Sequence, residues 1–296
     1  MDHPGTRIPP LTGGFADLHL HSTASDGSFE PAEVVRQAHR AGLAAIALTD
    51  HDTLAGTPAA EATGTALGVI VLAGCEFSVK VDWGEAHLLG YLLPSDHPDL
   101  NAFLATMRSA RAERGRAIVI AIQRCGVRLD FAAVEALSVG AAIGRPHVAR
   151  ALIAAGIVKT FDEAFDRFLG RGRPAFVAKL LPPVAEVAAL VRSAGGVTSM
   201  AHLKDRGTRA SLISFRDQGV DGVEVYHPGH SGPVRQELER LAGELGMLRT
   251  GGSDSHGGAA VSPSHSVIGG ERVPIEWVDA MIAFAASRRA GASVRR

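Results

Sequence analysis

Between Phe15 and Leu93 short apolar runs alternate with segments of helical period. Phe15–His21 predicts a strand. Ser28 is placed to cap a helix that begins near Pro31, continues as Ala32–Ala41 and stops at Gly42. Leu43–Leu48 is a continuous apolar run, the pattern of a parallel strand buried on both faces. A polar loop and a weak helix near Pro58–Gly68 lead to a second such run, Val69–Ala73. Phe77–Val81 and Ala86–Leu92 then flank Asp82-Trp83-Gly84, a hairpin turn.

After Pro94 the pattern becomes purely helical. Leu100–Gln123 is one long periodic segment, followed by Phe131–Leu137, His147–Ala155 and Asp162–Phe168. Alternation then resumes with a helix at Pro183–Ala194, a strand at Gly196–His202, a helix at Thr208–Gln218 and a strand at Gly222–Tyr226. Gly232–Leu245 reads as helix, Met247–Gly251 as strand and Ile275–Ser287 as a closing helix. The expectation is an α/β barrel of β/α units in two parts, 14–96 and 181–287, interrupted by a helical insertion at 97–180. Residues 288–296 read as a tail.

Composition narrows the class. The chain has 296 residues, 46% hydrophobic and only 5% aromatic, which suits an Ala- and Gly-rich α/β protein better than a β-sandwich. A net charge of −1 with this apolar content excludes a mainly disordered chain. No apolar run approaches the roughly 18–20 residues of a membrane span, and Met1–Thr12 lacks the apolar core of a signal peptide. Cys75 and Cys125 are distant in sequence and form no C-x-x-C zinc motif, so a reducing cytoplasm is the expected setting. Nothing points to an obligate protein partner.

Charge separates the two parts. Residues 97–180 hold 13 Lys and Arg against 7 Asp and Glu, a net of +6, whereas the remainder has 17 against 24, a net of −7. An acidic body suits cations and a basic insert suits an anion. The alternative is that Arg108, Arg111, Arg114 and Arg116 form a solvated helix face.

The 13 histidines carry the chemistry. In Asp17-Leu18-His19-Leu20-His21, strand alternation puts Asp17, His19 and His21 on one face, with the imidazoles about 7 Å apart along it. Asp50-His51-Asp52 ends the run Leu43–Leu48, where three ionisable residues cannot continue a buried strand unpaired. Glu76 follows Val69–Ala73, His87 lies across the hairpin, and His202 ends Val197–Ala201. His227 and His230 follow Val223–Tyr226, and Asp254 and His256 follow Met247–Gly252. Each alone could be a satisfied loop residue. Together, six strand-like runs end in His, Asp or Glu, and in a β/α barrel those ends share the catalytic face. Such a set without Cys suits Mn, Fe or Zn, and so many donors suit more than one ion.

These motifs, taken in order, resemble the polymerase and histidinol phosphatase (PHP) family of metal-dependent phosphoesterases. The carriers are DLHLHS at Asp17–Ser22, SDG at Ser25–Gly27, LTDHDT at Leu48–Thr53, Glu76, HLLGY at His87–Tyr91, AH at Ala201–His202 and SDSH at Ser253–His256. GRPHVA at Gly144–Ala149 and EVYHPGH at Glu224–His230 resemble the nucleotide-cleaving members that carry a helical insert. The resemblance spans roughly residues 15–270. It implies a distorted seven-stranded, TIM-like β/α barrel and two to three divalent ions, with manganese the expected metal. His19, His21, Glu76 and Asp254 would hold the first. Glu76 would bridge to a second, completed by His87 and His202, and Asp26, His51 and His256 would hold a third. Leu203 stands where the family usually has Pro, which bears on the loop beside His202.

For a phosphorylated substrate, Arg145, His147, Lys179 and His230, with His227, are the expected contacts. Arg145 and His147 flank Pro146 at a helix start, and Lys179 is one of only four lysines. The expected reaction is metal-assisted hydrolysis of a phosphate ester. His202 or His256 would protonate the leaving oxygen, and Asp52 would orient a ligand imidazole. Expected substrates are 3′,5′-nucleoside bisphosphates or short 5′-phosphorylated oligoribonucleotides. The alternatives are a phosphatase for another metabolite such as histidinol phosphate, an amidohydrolase acting on a C–N bond, and a non-catalytic metal-bound module.

Overall fold

A computed structural model describes residues 13–138, 143–258 and 267–293. Residues Met1–Thr12 of the signal-peptide reading lie outside them. The order of elements is β1 (Phe15–Leu20), α1 (Pro31–Arg40), β2 (Ala45–Leu48), α2 (Thr57–Leu67), β3 (Ile70–Val81), β4 (Gly84–Tyr91), α3 (Pro98–Arg124), α4 (Phe131–Ser138), α5 (Arg145–Ala154) and α6 (Phe161–Ala164), which runs on as a π-turn over Phe165–Leu169. Then follow α7 (Val184–Ser193), β5 (Val197–Met200), α8 (Arg209–Asp217), β6 (Gly222–Tyr226), α9 (Gly232–Leu245), β7 (Leu248–Gly251), β8 (Val273–Pro274) and α10 (Ile275–Ser293).

The strands form one mixed sheet in the order β7-β6-β5-β4-β3-β2-β1-β8. It curls until its ends nearly meet. At one end of β1, Phe15 and Ala16 pair antiparallel with β8. At the other end, Leu20 bridges Ser255 beyond β7, and the His21 amide donates to the Ser255 carbonyl at 3.0 Å. The barrel therefore has eight strands rather than the expected seven, the eighth being a two-residue edge piece.

The runs expected at Val69–Ala73 and Phe77–Val81 merge into a single twelve-residue strand, β3, that starts at Ile70 and has Glu76 inside it rather than after it. Gly74 allows this. It marks the change from parallel pairing with β2 to antiparallel pairing with β4, and a Cβ there would lie 2.8 Å from Thr49 Cγ2 and 3.0 Å from the Leu48 carbonyl oxygen. The strand bends through a close backbone approach that only glycine permits. Consequently β4 runs antiparallel to both neighbours, and His87 faces the site from within a strand.

α1 buries Pro31, Val34, Val35 and Ala38, one stripe of helical period. Its N-cap is Glu30, not Ser28, whose hydroxyl instead accepts from the Gly258 amide. α10 continues past the expected stop at Ser287 to Ser293, and Arg288 in that extension pairs with Asp221 at 2.8 Å. Of the expected tail, only 294–296 lie outside the described residues.

The main core joins the barrel strands to α7–α10 around Leu18, Phe77, Leu88 and Val223. A separate apolar cluster, including Ile122, Val148, Leu152 and Leu169, lies within the helices between β4 and α7. Leu100 and Leu104, at the start of α3, belong to the barrel core. Among the described residues no helix is long and apolar enough to cross a membrane.

Candidate metal centre

β1 sends Leu18 and Leu20 into the core and presents His19 and His21 to the barrel mouth, as alternation requires. β2 delivers His51, β3 Glu76, β4 His87, β5 His202 and β7 Asp254 and His256, while the loop after β1 supplies Asp26. Their donor atoms fall into three overlapping groups, each within 4.8 Å. One is His19, His21, Glu76 and Asp254. A second is Glu76, His87 and His202. The third is His21, Asp26, His51 and His256, so His21 lies beside two groups, as Glu76 does.

Glu76 is the hub. One carboxylate oxygen lies 3.2 Å from His21 Nε2 and 3.2 Å from His51 Nδ1, and the other 2.7 Å from His87 Nδ1 and 3.2 Å from His202 Nε2. Burial would raise its pKa, but the imidazoles of His87, His51 and His19 hold it well below the carboxylate range. Burial likewise lowers the pKa values of His19 and His21. The carboxylates of Asp254 and Glu76 outweigh it, leaving His19 well above its ordinary value and His21 at about 10.

The donor set fits divalent cations. His19 Nε2, both ring nitrogens of His21, His51 Nδ1 and Asp26 Oδ1 are buried and make no hydrogen bond. Buried polar atoms without partners are costly, and a cation at each group supplies the missing interaction. All the donors are nitrogen or oxygen, suited to hard or borderline metals.

The support around the donors was largely invisible in sequence. Glu224, fully buried on β6, accepts from His19 Nδ1 at 3.0 Å and from the His202 amide at 2.7 Å. It does the orienting work expected of Asp52. Asp52 instead forms a buried ion pair with Arg111 of α3. Asp17 fixes the β7 exit, accepting from Ser253 Oγ at 2.6 Å and the Gly269 amide at 2.8 Å, and burial pushes its pKa up to about 6. Asp50 holds the loop before Asp26 through Ser22 and Ser25 at 2.7 and 2.6 Å. Asp52, His202 and Asp254 have φ of +53°, +29° and +51°, left-handed values that cost non-glycine residues roughly 1–2 kcal/mol each.

The expected phosphate contacts separate. His230 donates to the Val225 carbonyl at 2.9 Å and accepts from the Lys204 amide at 3.1 Å. Both its ring nitrogens serve the backbone, so it is not a phosphate contact. His147 is also structural: Nδ1 accepts from the Gly144 amide at 3.0 Å, and the ring bonds the Ser25 backbone. With Arg150, which donates to the Asp26 carbonyl at 2.8 Å, it clamps the Asp26 loop to α5. His227 Nε2 lies 3.4 Å from Asp254, and its Nδ1 accepts from Gly229. Lys179 contacts Ser78 and pairs with Glu85 at 3.0 Å. Arg145 lies over the Phe165 ring, 5.4 Å from its centroid. Arg108 and Arg116 are exposed, but Arg111 is buried, which removes it from the solvated face.

The profile of the PHP domain matches residues 17–155. A 5′-3′ exoribonuclease of Haemophilus influenzae is 33% identical over 81% of this chain and 89% of its own length. The chain belongs to the PHP family. A 3′,5′-nucleoside bisphosphate phosphatase of Chromobacterium violaceum is 32% identical over 81% of this PHP chain and 86% of its own. A crystal structure from Bifidobacterium adolescentis, assigned to the metal-dependent phosphoesterases, superposes with a TM-score of 0.83 at 30% identity, covering 90% of this chain and 95% of that one. These PHP relatives include phosphoester-hydrolysing enzymes, and this chain carries the metal-dependent phosphoesterase fold.

Proposed function

We propose that this PHP protein hydrolyses phosphate esters of small nucleotides, either 3′,5′-nucleoside bisphosphates or short 5′-phosphorylated oligoribonucleotides. The observation that carries the reading is the position of Glu76, which belongs to two of the three donor groups at the barrel mouth and lies 3.2 Å from His51 of the third. His19, His21, Glu76 and Asp254 would hold one divalent ion, Glu76, His87 and His202 a second, and Asp26, His51 and His256 a third. The mixed imidazole and carboxylate donors suit manganese, iron or zinc, and manganese is the metal expected there. When bound, such ions supply Lewis acidity at the phosphoryl oxygens and lower the pKa of a coordinated water.

The chain's own residues bind and orient. Segment 97–180 covers the substrate, bringing Arg145 and Lys179 towards its phosphates. His227, beside Asp254, lines the same mouth. His202 and His256, whose side chains are 24% and 18% exposed, are placed to pass a proton to the leaving oxygen when not engaged by a cation. The relatives' substrates support nucleotides over histidinol phosphate, a C–N substrate or a non-catalytic role. The unpaired cysteines Cys75 and Cys125 suit work in a reducing cytoplasm.

Replacing Glu76 with Gln tests the reading. It should abolish nucleotide turnover and lower metal content, because a neutral amide cannot bridge two cation groups. Wild-type turnover in that variant would overturn the site assignment.

A further inference from the structure

A cleft of about 330 Å³ opens beside His87 and His202, the outer donors of the group around Glu76. Trp83, Leu203, Lys204 and Arg206 also line it, with the carboxylates of Glu85 and Asp205. We infer that this cleft takes the nucleoside portion of the substrate, with Trp83 and Arg206 forming the platform on which its base stacks. The inference rests on the nucleotide reading above and adds the residues that recognise the base.

The two walls have different origins. Trp83 sits at the turn between β3 and β4, half-buried, with its ring edge-on to Phe215 of α8 at 6.0 Å and 80°. That contact fixes the indole from behind. Arg206 lies in the short helical turn after β5, exposed, its guanidinium carbon 5.2 Å from the centre of the indole ring. The segment that carries it is held in shape. His202 and Lys204 both have positive φ, and the Lys204 amide is fixed by His230. This gives the two histidines of EVYHPGH separate tasks, with His230 shaping the cleft wall.

The chemistry of the cleft matches a nucleoside phosphate. A phosphoryl group at His87 and His202 leaves its organic substituent in the adjoining space, whose volume lies in the range of small-ligand pockets. Indole and guanidinium planes are the surfaces on which flat bases stack with little sequence preference. Lys204 and Arg206 are exposed and, among the described residues, form no ion pair; Arg206 lies over the indole, so a base stacks on the outer face of its guanidinium or takes its place on the ring. Leu203 is buried beneath them and gives the cleft an apolar floor.

The test compares adenosine 3′,5′-bisphosphate with its abasic tetrahydrofuran analogue, using the manganese-loaded full chain. Wild type should prefer the base-bearing substrate in kcat/KM. Trp83→Leu should reduce that preference by about tenfold or more, the scale of one base–aromatic stack. Trp83→Phe should restore most of it. Arg206→Gln, at an exposed position, should reduce it too and covers the case in which Trp83→Leu fails to fold. Adenosine 5′-phosphate should quench tryptophan fluorescence in wild type and not in Trp83→Leu, where only Trp277 remains. Undiminished preference in folded Trp83→Leu and Arg206→Gln, or undiminished quenching in Trp83→Leu, overturns the inference while nucleotide hydrolysis stands. Base-dependent quenching through Trp83 in a protein that cleaves no nucleotide would uphold the cleft and overturn the reading of the reaction.

Discussion

Glu224 Oε1 lies 3.0 Å from His19 Nδ1, which leaves the opposite nitrogen of that ring aimed at Glu76 and Asp254, 3.4 and 3.5 Å away. The other Glu224 oxygen takes the His202 amide, so one buried carboxylate sets ligands of two donor groups. Such outer partners fix the tautomer and raise ligand basicity. Glu224→Gln should weaken divalent-metal affinity by roughly ten- to a hundredfold, with activity recovering at excess metal. Metal titration of the purified variant measures this. Wild-type affinity would show that Glu224 does not set the ligands.

Arg111 and Asp52 tie α3 to the β2 exit through a buried ion pair. Removing one partner of such a pair leaves an uncompensated charge and costs roughly 3–5 kcal/mol. Arg111→Met should lose stability on that scale in urea unfolding, and the double variant Asp52→Asn/Arg111→Met should regain most of it. If the double variant is no more stable than the single one, the pair is not what holds α3 in place.

Lys179 gives a pH signature. Burial lowers its pKa from 10.5 to about 8, although Glu85 pulls the other way. The protonated ammonium is the form that binds a phosphate, and it is lost as pH rises through about 8. The expected result is a fall in kcat/KM above that pH, and Lys179→Arg, with a guanidinium charged throughout, should move the fall to higher pH. An identical alkaline limb in the variant would remove Lys179 from substrate binding.

The donors were legible because polar residues recur at fixed places in otherwise apolar runs. Asp17-x-His19-x-His21 declares a strand face, and Asp50-His51-Asp52 cannot be buried without compensation. Glu224 was not legible as a support. In Gly222–Tyr226 a single Glu between valines reads as an outward residue, and only barrel closure turns that face inward. Gly74-Cys75 reads as a strand end because spacing does not reveal that the glycine serves a close backbone approach. His147 and His230 resemble ligands in sequence, yet their nitrogens are taken by backbone groups that become neighbours only after folding. Arg111 did carry a signal. It falls on the buried stripe Leu100, Leu104, Met107, Arg111, Gly115 and Ile118, where a charge must find a partner.

The most direct test is phosphate and nucleoside release by the manganese-loaded protein, with and without chelator. The substrates are adenosine 3′,5′-bisphosphate, a 5′-phosphorylated diribonucleotide, AMP and histidinol phosphate. The account predicts cleavage of one or both of the first two, abolished by chelator and restored by added metal. Release from histidinol phosphate alone, or from none of the four with metal bound, would contradict it.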